Sequence, residues 1–348
     1  MVYIRVDANS EIGSGHLMRT IAIAKEMEKR GEMVIFVCAD NTPREYLESQ
    51  GLYMINLMGD WKDMTIESSK MLLVVADEPK EPVLLIDTYS VSKTYVNIMS
   101  MFSKVCYLGS KKEDLGNLSL LVNYSSDIDE AFYEETYPGV KKLLGVEYSI
   151  LRPEFIGFER NPKAYEPRVL ITTGNTDNLG MELAILDRMC DDGLVMLPGD
   201  EDAEVQFEVV VGSMSKDRDE IFEKYGDCPN VNLHENVENM AELMKKCPIA
   251  ITAGGTTMNE LAAMETAILC FAIAEDQPKD CKAFARDDAV LYVGNAMEDK
   301  ESVVRDVALG LCSLLMDEKT RTEIATNARR LIDGEGVTKI CDAIEELL

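Results

Sequence analysis

The sequence predicts an α/β protein of two Rossmann-like, doubly wound domains facing a cleft. Three observations carry that expectation. The 348 residues exceed the ~100–200 of a usual domain. Short β-rich runs alternate with longer stretches of helical periodicity, the pattern of βαβ units on a parallel sheet. Midway, Pro153, Pro162 and Pro167 punctuate a charged stretch, Glu159-Arg160-Asn161-Pro162-Lys163, that reads as a boundary between two such alternations.

In the first half, strands are expected at 2–6, 33–38, 52–56, 83–87 and 104–108, with a shorter one near 118–122. The clearest helix spans 16–30. There Leu17, Ile21, Ala24 and Met27 recur at spacings of three and four, Lys25, Glu28 and Lys29 fall elsewhere, and Gly31 supplies the stop. These elements make a first domain over 1–150, followed by a linker at 151–165. A strand at 168–173 opens a second domain over 166–335. Further strands are expected at 194–197, 208–211, 231–234, 249–252, 267–271 and 290–293, and helices at 179–190, 237–246, 256–264, 301–316 and 320–333. A last helix, within 336–348, is expected to pack back on the first domain.

Hydrophobic residues make up 46% of the chain, enough for two ordinary cores and unlike a disordered segment. No apolar run approaches the ~20 residues that span a bilayer. Residues 1–7 read as a strand rather than a signal peptide. The expected setting is the cytoplasm, without membrane insertion, and the expected assembly is a monomer or weak homo-oligomer. Nine scattered cysteines without a C-x-x-C pair read as small hydrophobic residues kept reduced, and with His16 and His234 the only histidines a structural metal site is not expected. The 63 acids against 35 bases give a formal charge of −28, which disfavours nucleic acid and anionic membrane as partners. An anionic substrate must then be held by local features such as helix N-termini and a few arginines.

In doubly wound sheets, ligands bind at the carboxyl ends of strands, where loops lead into helices. Four such places stand out. After the first strand comes Asp7-Ala8-Asn9-Ser10-Glu11-Ile12-Gly13-Ser14-Gly15-His16. Gly13 and Gly15 allow a tight turn and close backbone approach to a ligand, but Met18 stands where a dinucleotide fingerprint needs a third glycine. His16 opens the helix, whose positive end favours the unprotonated imidazole that a base needs; the plainer alternative is a helix-terminal residue capped by its neighbours. The strand at 83–87 ends in Asp87-Thr88-Tyr89-Ser90. Asp87 suits orienting a histidine or a sugar hydroxyl, Tyr89 suits hydrogen bonding, and a helix cap by Asp87 or Ser90 fits equally.

In the second half, Thr172-Thr173-Gly174-Asn175-Thr176-Asp177 suits a diphosphate, and it lacks the Gly-Lys-Ser/Thr of an ATP-hydrolysing P-loop. Finally, Ala253-Gly254-Gly255-Thr256-Thr257-Met258-Asn259-Glu260 offers glycine backbone to phosphate and Glu260 to a ribose diol. A capping box of Thr257 with Glu260 explains the polar residues there but not the double glycine.

Taken in order, G-x-G-H, I-D-x-Y, G-x-T-D and A-G-G-T-x-x-N-E make the chain resemble the UDP-sugar hydrolases of pseudaminic acid biosynthesis. Those enzymes release UDP from UDP-2,4-diacetamido-2,4,6-trideoxy-β-L-altropyranose. The chain is similar more broadly to spore-coat polysaccharide biosynthesis proteins, and more distantly to the peptidoglycan glycosyltransferase that adds N-acetylglucosamine. The likeness covers nearly the whole chain, including Tyr148-Ser149-Ile150-Leu151-Arg152-Pro153-Glu154-Phe155, which resembles the family's domain-crossing stretch. It implies the glycosyltransferase B architecture, with UDP held mainly by the second domain. It also implies a hydrolase in nonulosonic acid or surface polysaccharide biosynthesis, in which His16 activates water and neither a cofactor nor a metal is required.

By the same resemblance, Gly13, Gly15, Arg19, Asp87, Tyr89 and Arg152 belong to the substrate site. Gly174, Thr176 and Asp177 would face the diphosphate, and Gly254, Gly255, Thr256, Asn259 and Glu260 would hold phosphates and ribose. Two departures stand out: Thr88 where the family usually has histidine, and Asn175 where it commonly has glycine. They imply a different sugar or weakened catalysis. A glycosyltransferase on the same scaffold, or a weakly catalytic nucleotide-sugar binding protein, are the alternatives.

Overall fold

Five consecutive residues without solvent access beyond a trace, Val2–Val6, form β1, the strand around which the first sheet grows. The computed structural model describes residues 1–76, 78–160, 167–191, 196–197 and 200–348. It divides into two units, Met1–Pro153 with Glu335–Leu348, and Glu154–Gly334.

In the first unit the chain runs β1, α1 (Gly15–Lys29), β2 (Val34–Cys38), α2 (Arg44–Ser49), β3 (Tyr53–Asn56), α3 (Met64–Val75), β4 (Val83–Asp87), α4 (Lys93–Met99), β5 (Lys104–Leu108), β6 (Leu120–Asn123), α5 (Glu130–Thr136) and β7 (Lys141–Leu144). The seven strands are parallel, in the order β3-β2-β1-β4-β5-β6-β7. Such sheets are covered on both faces, so their inner strands read as unbroken apolar runs. β7 is not evident from sequence because Lys141 and Lys142 interrupt that signature; lysine is at home on an edge strand, where it blocks further pairing. Arg5 is wholly buried on β1. Its Nε and Nη2 donate to Glu67 of α3 at 2.6 and 3.0 Å and its Nη1 to Asp7 at 2.6 Å. Asp7 in turn accepts from the Ala39 N–H at 2.8 Å, which pins the carboxyl end of β1 to that of β2.

The second unit runs β8 (Arg168–Thr172), α6 (Met181–Asp191), β9 (Met196–Leu197), β10 (Asp200–Glu204), β11 (Gln206–Val210), α7 (Arg218–Tyr225), β12 (Val231–His234), α8 (Met240–Lys246), β13 (Ile249–Ala253), α9 (Thr257–Ala263), β14 (Ala267–Ala272), α10 (Gln277–Arg286), β15 (Leu291–Asn295), α11 (Lys300–Met316) and α12 (Glu318–Leu331). Six parallel strands form its main sheet, in the order β12-β11-β8-β13-β14-β15. The strand expected at 194–197 is not part of that sheet. Its last two residues are β9, which pairs antiparallel with β10, while residues 194–195, like 161–165 of the expected linker, lie outside the described residues. The sequence Asp200-Glu201-Asp202-Ala203-Glu204 of β10 carries no apolar signal, so nothing in it predicts a strand.

The last helix, α13 (Gly336–Glu345), belongs to the first unit. Its Val337, Ile340, Cys341 and Ile344 join the core formed by β1, β2 and the inner face of α1. Arg30, at the end of α1, donates to Asp342 at 2.7 Å and to Glu345 at 2.8 Å.

Both main sheets reverse direction at their first strand. β1 lies between β2 and β4, and β8 between β11 and β13. In a doubly wound sheet the crevice outside such a switch point is where ligands bind, because the loops leaving the two strands diverge there.

Candidate active site

The loop after β1 is built by Asn9. Its side-chain oxygen accepts from the N–H groups of Glu11 at 2.9 Å and Ile12 at 3.1 Å, and its carbonyl accepts from Gly13 at 2.8 Å. Gly13 takes φ +70°, a left-handed conformation that glycine adopts without the cost borne by other residues. Gly15 has no such need and open space where a Cβ would stand. Ser14 is the residue before α1 and makes no side-chain cap, so the capped-terminus alternative for His16 does not describe this helix. The two residues proposed as caps after β4 do not act as such either: Ser92 caps α4, accepting from Tyr95 N–H at 3.3 Å.

Asp87 instead meets His16. β1 and β4 pair in register with Val6 beside Asp87, so the first turn of α1 stands over the end of β4. Nδ1–H of His16 donates to Asp87 Oδ1 over 2.5 Å. Asp87 is fully buried and His16 nearly so, with 11% of its side chain exposed. Arg19, one turn further along α1, donates from Nε to Asp87 Oδ2 at 2.6 Å, from Nη2 to Asp87 Oδ1, and from Nη1 to the Tyr124 hydroxyl at 2.9 Å. Burial opposes the charge on Arg19, but the hydrogen bonds and attraction of Asp87 outweigh it and hold the guanidinium above its ordinary range. The Tyr89 ring meets the imidazole edge-on, centroids 4.4 Å apart.

His16, Arg19 and Tyr89 line a cavity of about 130 Å³, with Asp87 buried behind them; its other walls come from the ends of β5 and β6: Tyr107, Gly109, Ser110, Lys111, Asn123, Tyr124 and Ser125. None of these stands out in the sequence, although Asn123, Tyr124 and Ser125 obey the rule that picks out the others, polar residues directly after a buried strand. Thr88, the position where the resemblance expects histidine, is buried in the same wall. A second cavity, about 450 Å³ and mainly apolar, lies on the Gly13-Ser14 side of the turn, against Leu17, Met18, Pro43 and Tyr46. Arg152 is exposed at the end of the first unit and lines neither cavity.

In the second unit the predicted residues fall at the ends of β8 and β13, again the switch-point pair. Gly174 takes φ +96°, and Asn175 and Thr176 are exposed. Asp177 corrects the expectation that it faces a diphosphate: it is fully buried, and its Oδ2 accepts from Glu182 N–H in the first turn of α6 at 2.8 Å. Such a carboxylate satisfies a helix N–H that an anion would otherwise take. Gly254 is buried, and a Cβ there would stand 2.3 Å from Cys281 Sγ, so packing against α10 requires glycine with or without a ligand. Gly255 and Thr256 are exposed, and Asn259 and Glu260 lie half-buried in the first turns of α9. Thr257 is the first residue inside that helix rather than its cap, so the capping box does not form.

No family model matches the chain. It is 23% identical over 206 residues to the spore coat polysaccharide biosynthesis protein SpsG of Bacillus subtilis, covering 58% of each chain. It is 22% identical over 262 residues to the UDP-2,4-diacetamido-2,4,6-trideoxy-beta-L-altropyranose hydrolase of Campylobacter jejuni, covering 74% of this chain and 86% of that one. An uncharacterised protein of Methanocaldococcus jannaschii is 24% identical over 273 residues, 74% of this chain. The match spans only 53% of that protein, so the chain covers little more than half the length of two of these relatives. Among solved structures, MurG of Acinetobacter baumannii superposes with a TM-score of 0.64 at 16% identity over 99% of both chains. Anabaena HepE, solved in complex with UDP-glucose, superposes with a TM-score of 0.55 at 13% identity, over 99% of this chain and 98% of that one. The chain has the glycosyltransferase B fold, and its sequence fits the SpsG and UDP-sugar hydrolase group that the motifs resemble.

Proposed function

We propose that the protein is a hydrolase that releases UDP from a UDP-linked (di)acetamido sugar, with His16 activating the water. The observation that carries this is the His16–Asp87 pair, whose imidazole lines a cavity over the carboxyl ends of β4, β5 and β6. With Nδ1–H committed to Asp87, Nε2 is the ring nitrogen left to take a proton. In the proposed step a water oxygen bonds to the anomeric carbon while Nε2 takes the water's proton. The bond from that carbon to the diphosphate oxygen breaks, and its electron pair leaves with UDP. The hydrogen bond from Nδ1–H to Asp87 keeps the ring oriented through the step.

The name of the Campylobacter relative supports the substrate class, and that of the Bacillus relative supports a role in surface polysaccharide synthesis. The bound UDP-glucose of HepE supports a uridine nucleotide. In this scheme Gly255, Thr256, Asn259 and Glu260 hold the nucleotide, and Tyr89 approaches the sugar.

A glycosyltransferase is the second reading, favoured by the apolar cavity beside Gly13 and Ser14, which has room for an acceptor. His16 would then take its proton from an acceptor hydroxyl. Incubation with a panel of UDP- and CDP-linked amino sugars, with and without acceptors, separates the two. Stoichiometric nucleotide and free sugar without acceptor supports the hydrolase; release only with an acceptor overturns it in favour of the transferase.

A further inference from the structure

We infer that Arg19 is a positioning residue that, by occupying Asp87, keeps His16 a neutral base with Nε2 turned to the cavity. The inference rests on the reading of His16 as the water activator. His16 and Arg19 lie three residues apart on α1, the spacing that places two side chains on one helix face. Both converge on a single carboxylate: Arg19 contacts both Asp87 oxygens, and its Nη2 lies 3.0 Å from the His16 nitrogen that bonds the same group. Tyr124 holds the far end of the fork, its hydroxyl 2.9 Å from Nη1 and its ring centroid 5.6 Å from the guanidinium carbon.

Asp87 supplies one negative charge and Arg19 one positive charge, both largely withdrawn from solvent. The other groups around the imidazole are Tyr89 from the loop after β4, Tyr107 of β5, Tyr124 after β6, and Lys111, which lines the same cavity. None of these adds a negative charge at neutral pH, and Lys111 adds a positive one. An imidazolium at this place would therefore be an additional cation on an already balanced carboxylate. An aspartate with no competing guanidinium adds a bias toward the charged imidazole and away from the neutral form that a base needs. Asp87 paired with Arg19 orients His16 while that bias is offset by the guanidinium. The bidentate fork also fixes the carboxylate plane and thereby the tilt of the imidazole.

The test tracks the His16 ring signal by NMR as a function of pH in the free protein. The chain has two histidines, so a His16→Asn variant assigns the resonance. In Arg19→Gln the midpoint of the His16 titration should rise by about one pH unit, and the acid limb of nucleotide release should move with it. Arg19→Lys, which keeps the charge and loses the fork, should leave the midpoint in place while kcat falls. Arg19→Met, whose apolar chain leaves no stranded donor, gives the same reading as the glutamine variant if that one does not fold. An unchanged His16 midpoint in the uncharged variant overturns the inference. A raised midpoint in a protein that releases no nucleotide from any substrate supports the role of Arg19 and overturns the hydrolase reading alone.

Discussion

His16 and Asp87 stand 71 residues apart in sequence and 2.5 Å apart in space, because the two strands that precede them, β1 and β4, are neighbours at the switch point of the first sheet. The pairing joins a residue of the first turn of α1 to the last residue of β4.

The first prediction concerns that pairing. Asp87→Asn keeps the shape of the side chain but presents an amide that no longer selects the Nδ1–H tautomer. On the proposed mechanism, kcat for UDP release should fall by about 10²–10⁴-fold, with His16→Asn at least as severe. UDP affinity, measured by calorimetric titration, should stay within about twofold, since neither residue is assigned to the nucleotide. Full turnover in either variant would take the pair out of the chemistry.

A second prediction addresses the other unit. Glu260 lies half-buried in the first turns of α9, close after the exposed Gly255 and Thr256. Its proposed hydrogen bonds to ribose are of the charge-assisted kind, so Glu260→Ala should weaken UDP binding by about ten- to a hundredfold. Thermal unfolding without nucleotide serves as the control for structure. Unaltered UDP affinity would mean that the ribose is held elsewhere.

The parts of this site legible in sequence are those carried by strand ends in apolar runs. Val2–Val6 and Val83–Asp87 announce themselves by five successive buried residues, and the polar residues directly after each run are marked by that position. Asn123, Tyr124 and Ser125 follow the apolar residues of β6 in the same way, but that strand offers only Leu120, Leu121 and Val122, too short a run to stand out from its surroundings. Nor does linear order say which strand ends are neighbours. That Asp87 reaches His16 rather than a helix N–H depends on strand order, and Asp87 and Ser90 fit a cap by composition until Ser92 is seen to fill that place. The inward turn of Asp177 is a third instance, set by its bond to the backbone of α6, which leaves no periodic trace in the sequence.

The third prediction tests the buried ion cluster beneath the first site. Arg5 has no solvent access and is the shared ion-pair partner of Asp7 and Glu67. Arg5→Ala leaves two buried carboxylates without their cation and should cost about 3–5 kcal/mol in denaturant unfolding. Arg5→Met combined with Glu67→Leu removes charge from both partners and fills the space, and should recover part of that loss. A double variant as unstable as Arg5→Ala would show that packing, not charge, sets the cost.

Glu182 supports the last prediction, on the dependence of stability on pH. Burial raises its carboxyl to about 7; the Thr173 hydroxyl, donating at 2.8 Å, opposes this, and the nearby charge of Asp177 adds to it. Asp177 Oδ1 is itself buried with no donor among the described residues, so an ionised Glu182 adds a second charge beside an unsatisfied one. The folded-state value lies above the ordinary 4.5, so the folded protein holds this proton more tightly than the unfolded chain. The stability gained is complete below about 4.5 and is lost as pH rises through about 7. Glu182→Gln, a permanent mimic of the protonated form, should therefore match the unaltered protein in stability near pH 5. Near pH 8 it should exceed it by up to about 3 kcal/mol. Denaturant unfolding at the two pH values measures this directly. A difference that stays constant between them would remove Glu182 as the titrating group.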